Sequence, residues 1–102
     1  MALAKATLGT SITDVYTSVN DSATTSIFFT NDNASARTID VHLVAQGTTA
    51  DATNRIIKEL SINGKDTYIL SAEKIVLSNG DKIQALCSAA TSVYATVSYV
   101  GI

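Results

Sequence analysis

Hydrophobic and polar residues alternate along two stretches in the last third of the chain. Ile83, Ala85 and Cys87 share one face of an extended segment, and Val93–Val100 alternates in the same way. The other face of the first segment consists mainly of Lys82, Gln84 and Ser88. Period-two alternation is typical of a β-strand with one buried face. Ahead of Ile83 stands Asn79-Gly80, a pair that favours the positive φ angles of a tight hairpin turn. We therefore predict a β-hairpin at this point.

The rest of the chain divides in the same way, into short runs separated by turns rich in Asn, Asp and Gly. Turn signals at such regular intervals predict an all-β fold, an antiparallel β-sandwich of jelly-roll or Ig-like (immunoglobulin-like) topology with about eight strands. The predicted strands are Ala4–Thr10, Thr13–Ser18, Thr24–Thr30, Thr38–Ala45, Ile56–Ile62, Thr67–Leu70, the hairpin of Lys74–Leu77 with Lys82–Ser88, and Val93–Val100.

The alternation also predicts which side chains lie between the two sheets. Residues 13–102 are expected to form one sandwich domain, and residues 1–12 an N-terminal arm or edge strand, because a terminus is ordered only where something anchors it. The predicted core consists of Ile27, Phe29, Ile39, Val41, Leu43, Ile69, Ile75, Leu77, Ile83, Val97 and Tyr99.

One segment, Ala50–Leu60, is compatible with either a helix or a strand. Ile56, Ile57 and Leu60 have the i, i+1, i+4 spacing of a short amphipathic helix. A sandwich, however, needs a pairing partner in this part of the chain. We therefore predict a loop that leads into a strand.

Composition excludes several functional classes. The chain has 102 residues, 46% of them hydrophobic and only 16% charged, with a net charge of −2 and basic residues scattered singly. A phosphate-binding surface concentrates positive charge, so we expect no nucleic-acid partner. No apolar run approaches the roughly 20 residues of a membrane span. A single cysteine permits no internal disulfide, and the N-terminus lacks the apolar region of a signal peptide, so synthesis in a cytoplasm is expected.

The reactive residues do not form a recognisable catalytic pattern. His42 is the only histidine and is predicted to face solvent or an interface from its strand, while Cys87 is predicted to be a small buried hydrophobe. Asp32 is interpreted as part of an Asx turn and Asp81 as a turn residue that bonds nearby backbone. We expect no catalytic residues, no metal site and no cofactor, and hence no enzyme.

Four tyrosines offer a different reading of the surface. Together with the Asn- and Asp-rich turns they could recognise glycans, although carbohydrate-binding modules usually contain tryptophan as well, and this chain has none. Tyrosines on alternating strands are more typical of core or interface anchors. The residues concerned are Tyr16, Tyr68, Tyr94 and Tyr99.

Three blocks of sequence resemble small β-sandwich virion proteins of tailed bacteriophages, notably those of marine bacteria and cyanobacteria. Asp14–Thr17 resembles an opening x-V-Y-T strand, Thr30–Val44 an N-x-x-x-x-A-R-T-hydrophobic turn and strand, and Ile75–Ala85 an I-x-L-x-x-G-D-x-I-x-A segment. The blocks occur in the expected order and span most of the chain. The sequence departs from the pattern at Ser18–Asp21, where such proteins often have Pro-Ala-Gly.

The resemblance implies a non-enzymatic virion structural protein, made in the host cytoplasm and located in the virion, with a capsid decoration (cement) subunit favoured. A tail, neck or fibre-associated protein is the alternative, and a glycan-binding module is a further one. Implied partners are the major capsid protein or other virion proteins, and a homo-oligomer, with a trimer favoured. Because the N-terminal arm and the terminal strand carry little charge, we expect another subunit to cover one or both. The interface candidates are Leu3, Leu8, Tyr94, Tyr99 and Ile102.

Overall fold

The computed structural model describes residues 2–71 and 74–102, and in these the chain is all-β. Met1 of the predicted arm and residues 72–73 of the predicted domain lie outside the described residues. Two antiparallel sheets pack face to face, so the predicted sandwich is confirmed. The strands are β1 (Ala2–Thr7), β2 (Thr13–Thr17), β3 (Ser22–Asn31), β4 (Arg37–Val44), β5 (Arg55–Ile62), β6 (Thr67–Leu70), β7 (Val76–Leu77), β8 (Lys82–Cys87) and β9 (Val93–Gly101).

The strand order is that of a jelly roll. Sheet I has the order β1-β9-β3, followed by β6 and β7, which pair with different parts of the same edge of β3. Sheet II has the order β2-β8-β4-β5. When β6 and β7 count as one edge, each strand pairs with its counterpart from the other end of the chain: β1 with β9, β2 with β8, β3 with β6 and β7, β4 with β5. A long hairpin rolled up in this way gives the jelly roll of the two alternatives predicted.

The core lies between the sheets and agrees with the predicted set at most positions. Ile27, Phe29, Ile39, Val41 and Ile83 have no exposed surface. Four other predicted members are buried or pack against the core as partly buried side chains. Of the remaining two, Tyr99 packs against the core and Ile69 lies outside it. The four are Leu43, Ile75, Leu77 and Val97.

Ile69 is the one predicted core residue that the structure places on the outside. Its side chain is 51% exposed, because β6 directs Tyr68 and Leu70 inward instead. In a strand this short, a shift of one residue exchanges the two faces. Tyr99 does face inward, where its ring lies 4.4 Å from that of Tyr16.

The predicted hairpin at Asn79-Gly80 is wrong, although a turn does form there. Asp81 N donates to Ser78 O at 3.0 Å, which closes the turn, but β7 belongs to sheet I and β8 to sheet II. Gly80 has a φ of 87°, whereas Asn79 is not among the residues with positive φ. A positive φ at only the third position is typical of a type II turn, and a type I′ hairpin turn needs two. The turn therefore carries the chain from one sheet to the other.

The segment after Ala50 follows the strand prediction. A loop leads into β5, which pairs with β4, and no helix forms there. The pairing is irregular, with register shifts on both sides of Val41, and Glu59 has a φ of 50°. Asp40 Oδ1 accepts a 2.7 Å hydrogen bond from the backbone N–H of Glu59 and so fixes this bulged part of the edge.

At the N-terminus, β1 pairs with β9 along its whole length and forms an edge of sheet I. The prediction that another subunit covers the N-terminal arm, the terminal strand or both stays a prediction, but β9 itself lies between β1 and β3. The chain itself supplies the two neighbours of β9. Of the two segments expected to be covered by another subunit, only β1 retains an open edge.

Candidate functional site

The outer face of sheet I is the most unusual surface in the described part of the chain. It consists of the strand side chains that point away from the core, and among these Lys5 is the one charged residue. Outside the strands, Lys74 reaches this sheet, and its Nζ donates to Thr25 O at 3.3 Å. The face is formed by Leu3, Lys5, Thr7, Ala23, Ser26, Phe28, Thr30, Thr67, Ile69, Val76, Tyr94, Thr96, Ser98 and Val100.

Several large apolar side chains on this face are open to solvent. The exposed fractions of four of these side chains are 63% for Leu3, 51% for Ile69, 67% for Val76 and 42% for Tyr94. A scattered exposed apolar residue is normal, but several large ones on one sheet face are typical of an interaction surface. Sequence reasoning missed Ile69 and Val76, because it assigned the first to the core and gave the second no role.

The apolar surface continues around the edge formed by β6 and β7. A groove of about 580 Å³ opens there, between this edge of sheet I and β5 of sheet II. Its apolar lining joins the outer face of sheet I at Val76. The groove is lined mainly by Leu43, Ile56, Ile57, Tyr68, Leu70 and Ile75, with Lys74 at one side.

The outer face of sheet II has the opposite character. Four of its charged side chains form two ion pairs: Lys82 Nζ lies 3.7 Å from Asp14 Oδ2, and Arg55 Nη1 lies 3.9 Å from Asp40 Oδ2. Gln84 Nε2 also donates to Asp14 Oδ1 at 2.6 Å. A face of paired charges and hydrogen bonds is well hydrated and needs no partner to cover it.

His42 belongs to this polar face but is buried, which corrects the prediction that it faces solvent or an interface. It is 4% exposed, and its Nδ1 lies 2.8 Å from Asn54 Oδ1. The amide of Asn54 donates from Nδ2 to Thr49 O, so its Oδ1 is the acceptor and His42 donates from Nδ1. The histidine therefore anchors the loop before β5. The group bonded to its Nδ1 is a side-chain amide, which is not a nucleophile that a histidine could activate.

The other residues considered for chemistry also have structural roles. Cys87 is a free thiol and is buried, as predicted. In the described residues, no group of three or more His, Cys, Asp or Glu side chains is placed to hold a metal ion. Every buried polar side-chain atom in the same residues has a hydrogen-bond partner.

The acidic turn residues behave partly as predicted. The turn around Asp32 is an Asx turn, but Asn31 and Asn33 supply it: Asn31 Oδ1 accepts from Asn33 N at 3.0 Å, and Asn33 Oδ1 accepts from Ser35 N at 2.9 Å. Asp81 bonds nearby backbone as expected, since its Oδ2 accepts from the Ser78 N–H at 3.0 Å.

The five interface candidates have different positions. Leu3 and Tyr94 lie on the outer face of sheet I, and Ile102 is exposed just beyond the end of β9. Leu8 has no exposed surface and belongs to the core, so it is not available to a partner. Tyr99 points inward and is partly buried against Tyr16, which leaves little of its ring for a contact.

No helix in the described residues is long and apolar enough to cross a membrane. Comparison with known proteins adds no relative: no protein-family model matches the chain, and neither a curated protein nor a solved structure matches it.

Proposed function

We propose that this chain is a non-enzymatic structural protein of a tailed bacteriophage virion, a decoration subunit that binds the outside of the capsid. Its partners in this proposal are the major capsid protein or another virion protein, together with further copies of itself. The observation that carries the proposal is the outer face of sheet I, where several large apolar side chains are exposed and Lys5 is the one charged strand residue among those described. The resemblance of the three sequence blocks supplies the virion as the context.

The contrast between the two sheet faces supports a structural role. A decoration subunit contacts the particle on one side and water on the other, and the two outer faces have the matching chemistry. The jelly roll recurs in viral capsid domains and also in lectins, so the fold by itself does not choose between these functions. The surface chemistry and the sequence blocks therefore support the virion role.

A location in the tail, in the neck or beside a fibre uses the same kind of surface and remains the alternative placement. The glycan-binding alternative has less support. All four tyrosines lie in strands β2, β6 and β9, and the described loops at the ends of the sandwich contain none. In addition, Tyr16 is buried, so its ring is not available to stack against a sugar.

Mass spectrometry of purified particles from the phage that encodes the chain tests the proposal first. We expect the protein to be present at many copies per particle, and a cryo-EM map of the particle to show it on the shell. Density in the tail or neck would replace the decoration role with the alternative placement. Absence of the protein from the particles would refute the virion assignment.

A binding experiment then tests the surface. Particles that lack the protein are incubated with the purified wild-type chain, with Ile69→Asp on the outer face of sheet I, and with Lys58→Glu as the matched control. Lys58 is exposed on β5, in sheet II. We expect the wild type and the control to co-sediment with particles, and Ile69→Asp to remain in the supernatant. Equal binding by Ile69→Asp would show that another surface makes the contact.

A further inference from the structure

The strands that border the two sheets are protected to very different degrees. An open edge can pair with another chain, and proteins normally prevent this with bulges, breaks or charges. At the edges of sheet II, β5 has register shifts, and β2 has a shift between Asp14 and Tyr16. The far edge of sheet I is divided between β6 and β7. Among the described edges, β1 alone is regular and unbroken along its length.

The direction of the free backbone groups on β1 follows from its pairing. Leu8 N donates to Val93 O at 3.0 Å, directly after the end of the strand. Backbone groups of alternate residues point to opposite sides of a strand, so the even-numbered residues of β1 bond β9. The N–H and C=O groups of Leu3, Lys5 and Thr7 therefore point to the open edge, and their side chains are exposed. This edge presents a row of donors and acceptors.

We propose that two copies of the chain join through this edge, with β1 of each pairing antiparallel to β1 of the other across a two-fold axis. In the proposed register, Leu3 lies opposite the partner's Lys5, and Ala4 lies opposite the partner's Ala4 at the two-fold axis. Because the edge is the same on both copies, the contact is isologous. Each Leu3–Lys5 pair exchanges two backbone hydrogen bonds. The two outer faces of sheet I then join into one continuous face.

Charge selects both the occupant and the register. Lys5 is the one charge on β1, so a strand that pairs here must place no positive charge opposite it. Two neighbouring registers use the same backbone groups. One puts Lys5 opposite the partner's Lys5, and like charges directly opposite destabilise a strand pair. The other puts Leu3 opposite the partner's Leu3 and pairs only that one of the three open-edge residues. The proposed register places the aliphatic stem of Lys5 against the partner's exposed Leu3 instead. A second copy of β1 can therefore bond the open edge of the first without placing a positive charge opposite Lys5.

This pairing gives a two-fold dimer in place of the trimer favoured from the sequence. Its premises are the strand order, the regularity of β1 and the position of its single charge. It holds whether or not the chain is a virion protein. A dimer by this contact can still bind a particle, because the outer face of sheet I remains exposed in it.

The experiment compares two variants that differ only in the sign of one charge. Leu3→Lys places like charges opposite each other in the proposed register, and Leu3→Glu places a carboxylate opposite the partner's Lys5. Light scattering after size-exclusion chromatography, over a range of concentrations, gives the mass of each species. We expect a dimer for the wild type, a monomer for Leu3→Lys, and a dimer for Leu3→Glu that is strengthened at low salt.

Thermal unfolding monitored by circular dichroism serves as the control for folding, and both variants are expected to unfold cooperatively. A wild-type protein that stays monomeric or forms a trimer at all concentrations overturns the proposal. A dimer that Leu3→Lys leaves intact, or that both variants weaken equally, also overturns it, since either result places the contact outside the Leu3–Lys5 pair.

Discussion

The outer faces of the two sheets cover the same core but have opposite chemistry. Sheet II faces outward with paired charges, a side-chain amide network and a histidine buried under the loop before β5. Sheet I faces outward with Ser, Thr and large apolar side chains, and among its described strand residues it carries one charge, Lys5. Because both sheets pack on the same core through their inner faces, folding alone does not explain why their outer faces differ in chemistry.

The side chains of the two faces should differ in what they contribute, to stability on sheet II and to association on sheet I. Polar residues that bond one another on sheet II hold strands and a loop in place, so their removal should reduce stability. Exposed apolar residues on sheet I bury little in the isolated chain, so their removal should change association and leave stability nearly unchanged. Substitutions on the two faces should therefore have different consequences.

Replacement of His42 by alanine should give the largest effect. The change removes a buried ring and its hydrogen bond to Asn54, so we expect the free energy of unfolding to fall by about 2–4 kcal/mol. Urea denaturation measures this loss. The matched change on sheet I is Thr96→Ala in the central strand β9, for which we expect a loss of about 0.5 kcal/mol or less. Similar losses in the two variants would remove the distinction between the faces.

The Asp40 carboxylate should give the next largest effect. Asp40→Ala leaves the Glu59 N–H without its acceptor at the bulge of β5, and we expect a loss of about 1–2 kcal/mol. Asp40→Asn keeps an oxygen acceptor and removes only the partly exposed pair with Arg55, so it should cost about 0.5 kcal/mol. Thermal or urea unfolding of both variants makes the comparison. An equal loss in both would show that the ion pair, and not the backbone contact, stabilises the edge.

Ile69→Ser on the outer face of sheet I should have a smaller effect on stability but a clear effect on surface properties. Since Ile69 is half exposed, we expect a change of about 0.5 kcal/mol in the free energy of unfolding. Retention on a hydrophobic-interaction column should fall relative to the wild type. Lys58→Ser on sheet II is the control and should not lower the retention. A large loss of stability in Ile69→Ser would mean that this face contributes to the fold.

Local pattern was sufficient for the fold class, because alternation marks β4, β8 and β9, and each of these strands has one face in the core. It was insufficient for Asn79-Gly80. The pair predicts a turn with positive φ, but β7 pairs with β3, and β8 pairs with β2 and β4, all of which lie far away in sequence. A type II turn between sheets and a hairpin turn within one sheet have similar composition.

The surface was predicted less well than the core, for two physical reasons. Alternation placed His42 on the outer side of β4, which is correct, but a long loop folds back and buries it through Asn54. Conversely, the four residues of β6 are too few to fix which face Ile69 occupies. Leu8 was grouped with the arm, yet the chain turns into the core directly after β1.

The smallest expected effect concerns the loop that covers His42. The hydroxyl of Thr53 donates to the Asp51 carboxylate, and this bond, followed by that from the Thr53 N–H, holds the pKa of Asp51 below its ordinary value of 3.8. A lowered pKa stabilises the fold at pH values above the ordinary one, and the contribution is lost as the pH falls through the folded-state pKa.

Thr53→Ala should therefore raise the pKa of Asp51 toward 3.8, while Thr53→Ser, which keeps the hydroxyl, should leave it low. Titration of the carboxyl carbon of Asp51 by NMR measures both values. The outer face of sheet I provides the comparison, because its described strand residues include no carboxylate, and the Tyr94 ring signals should not move over the same pH range. An unchanged pKa in Thr53→Ala would assign the shift to the backbone of the loop. Movement of the Tyr94 signals together with Asp51 would show that the two faces are coupled.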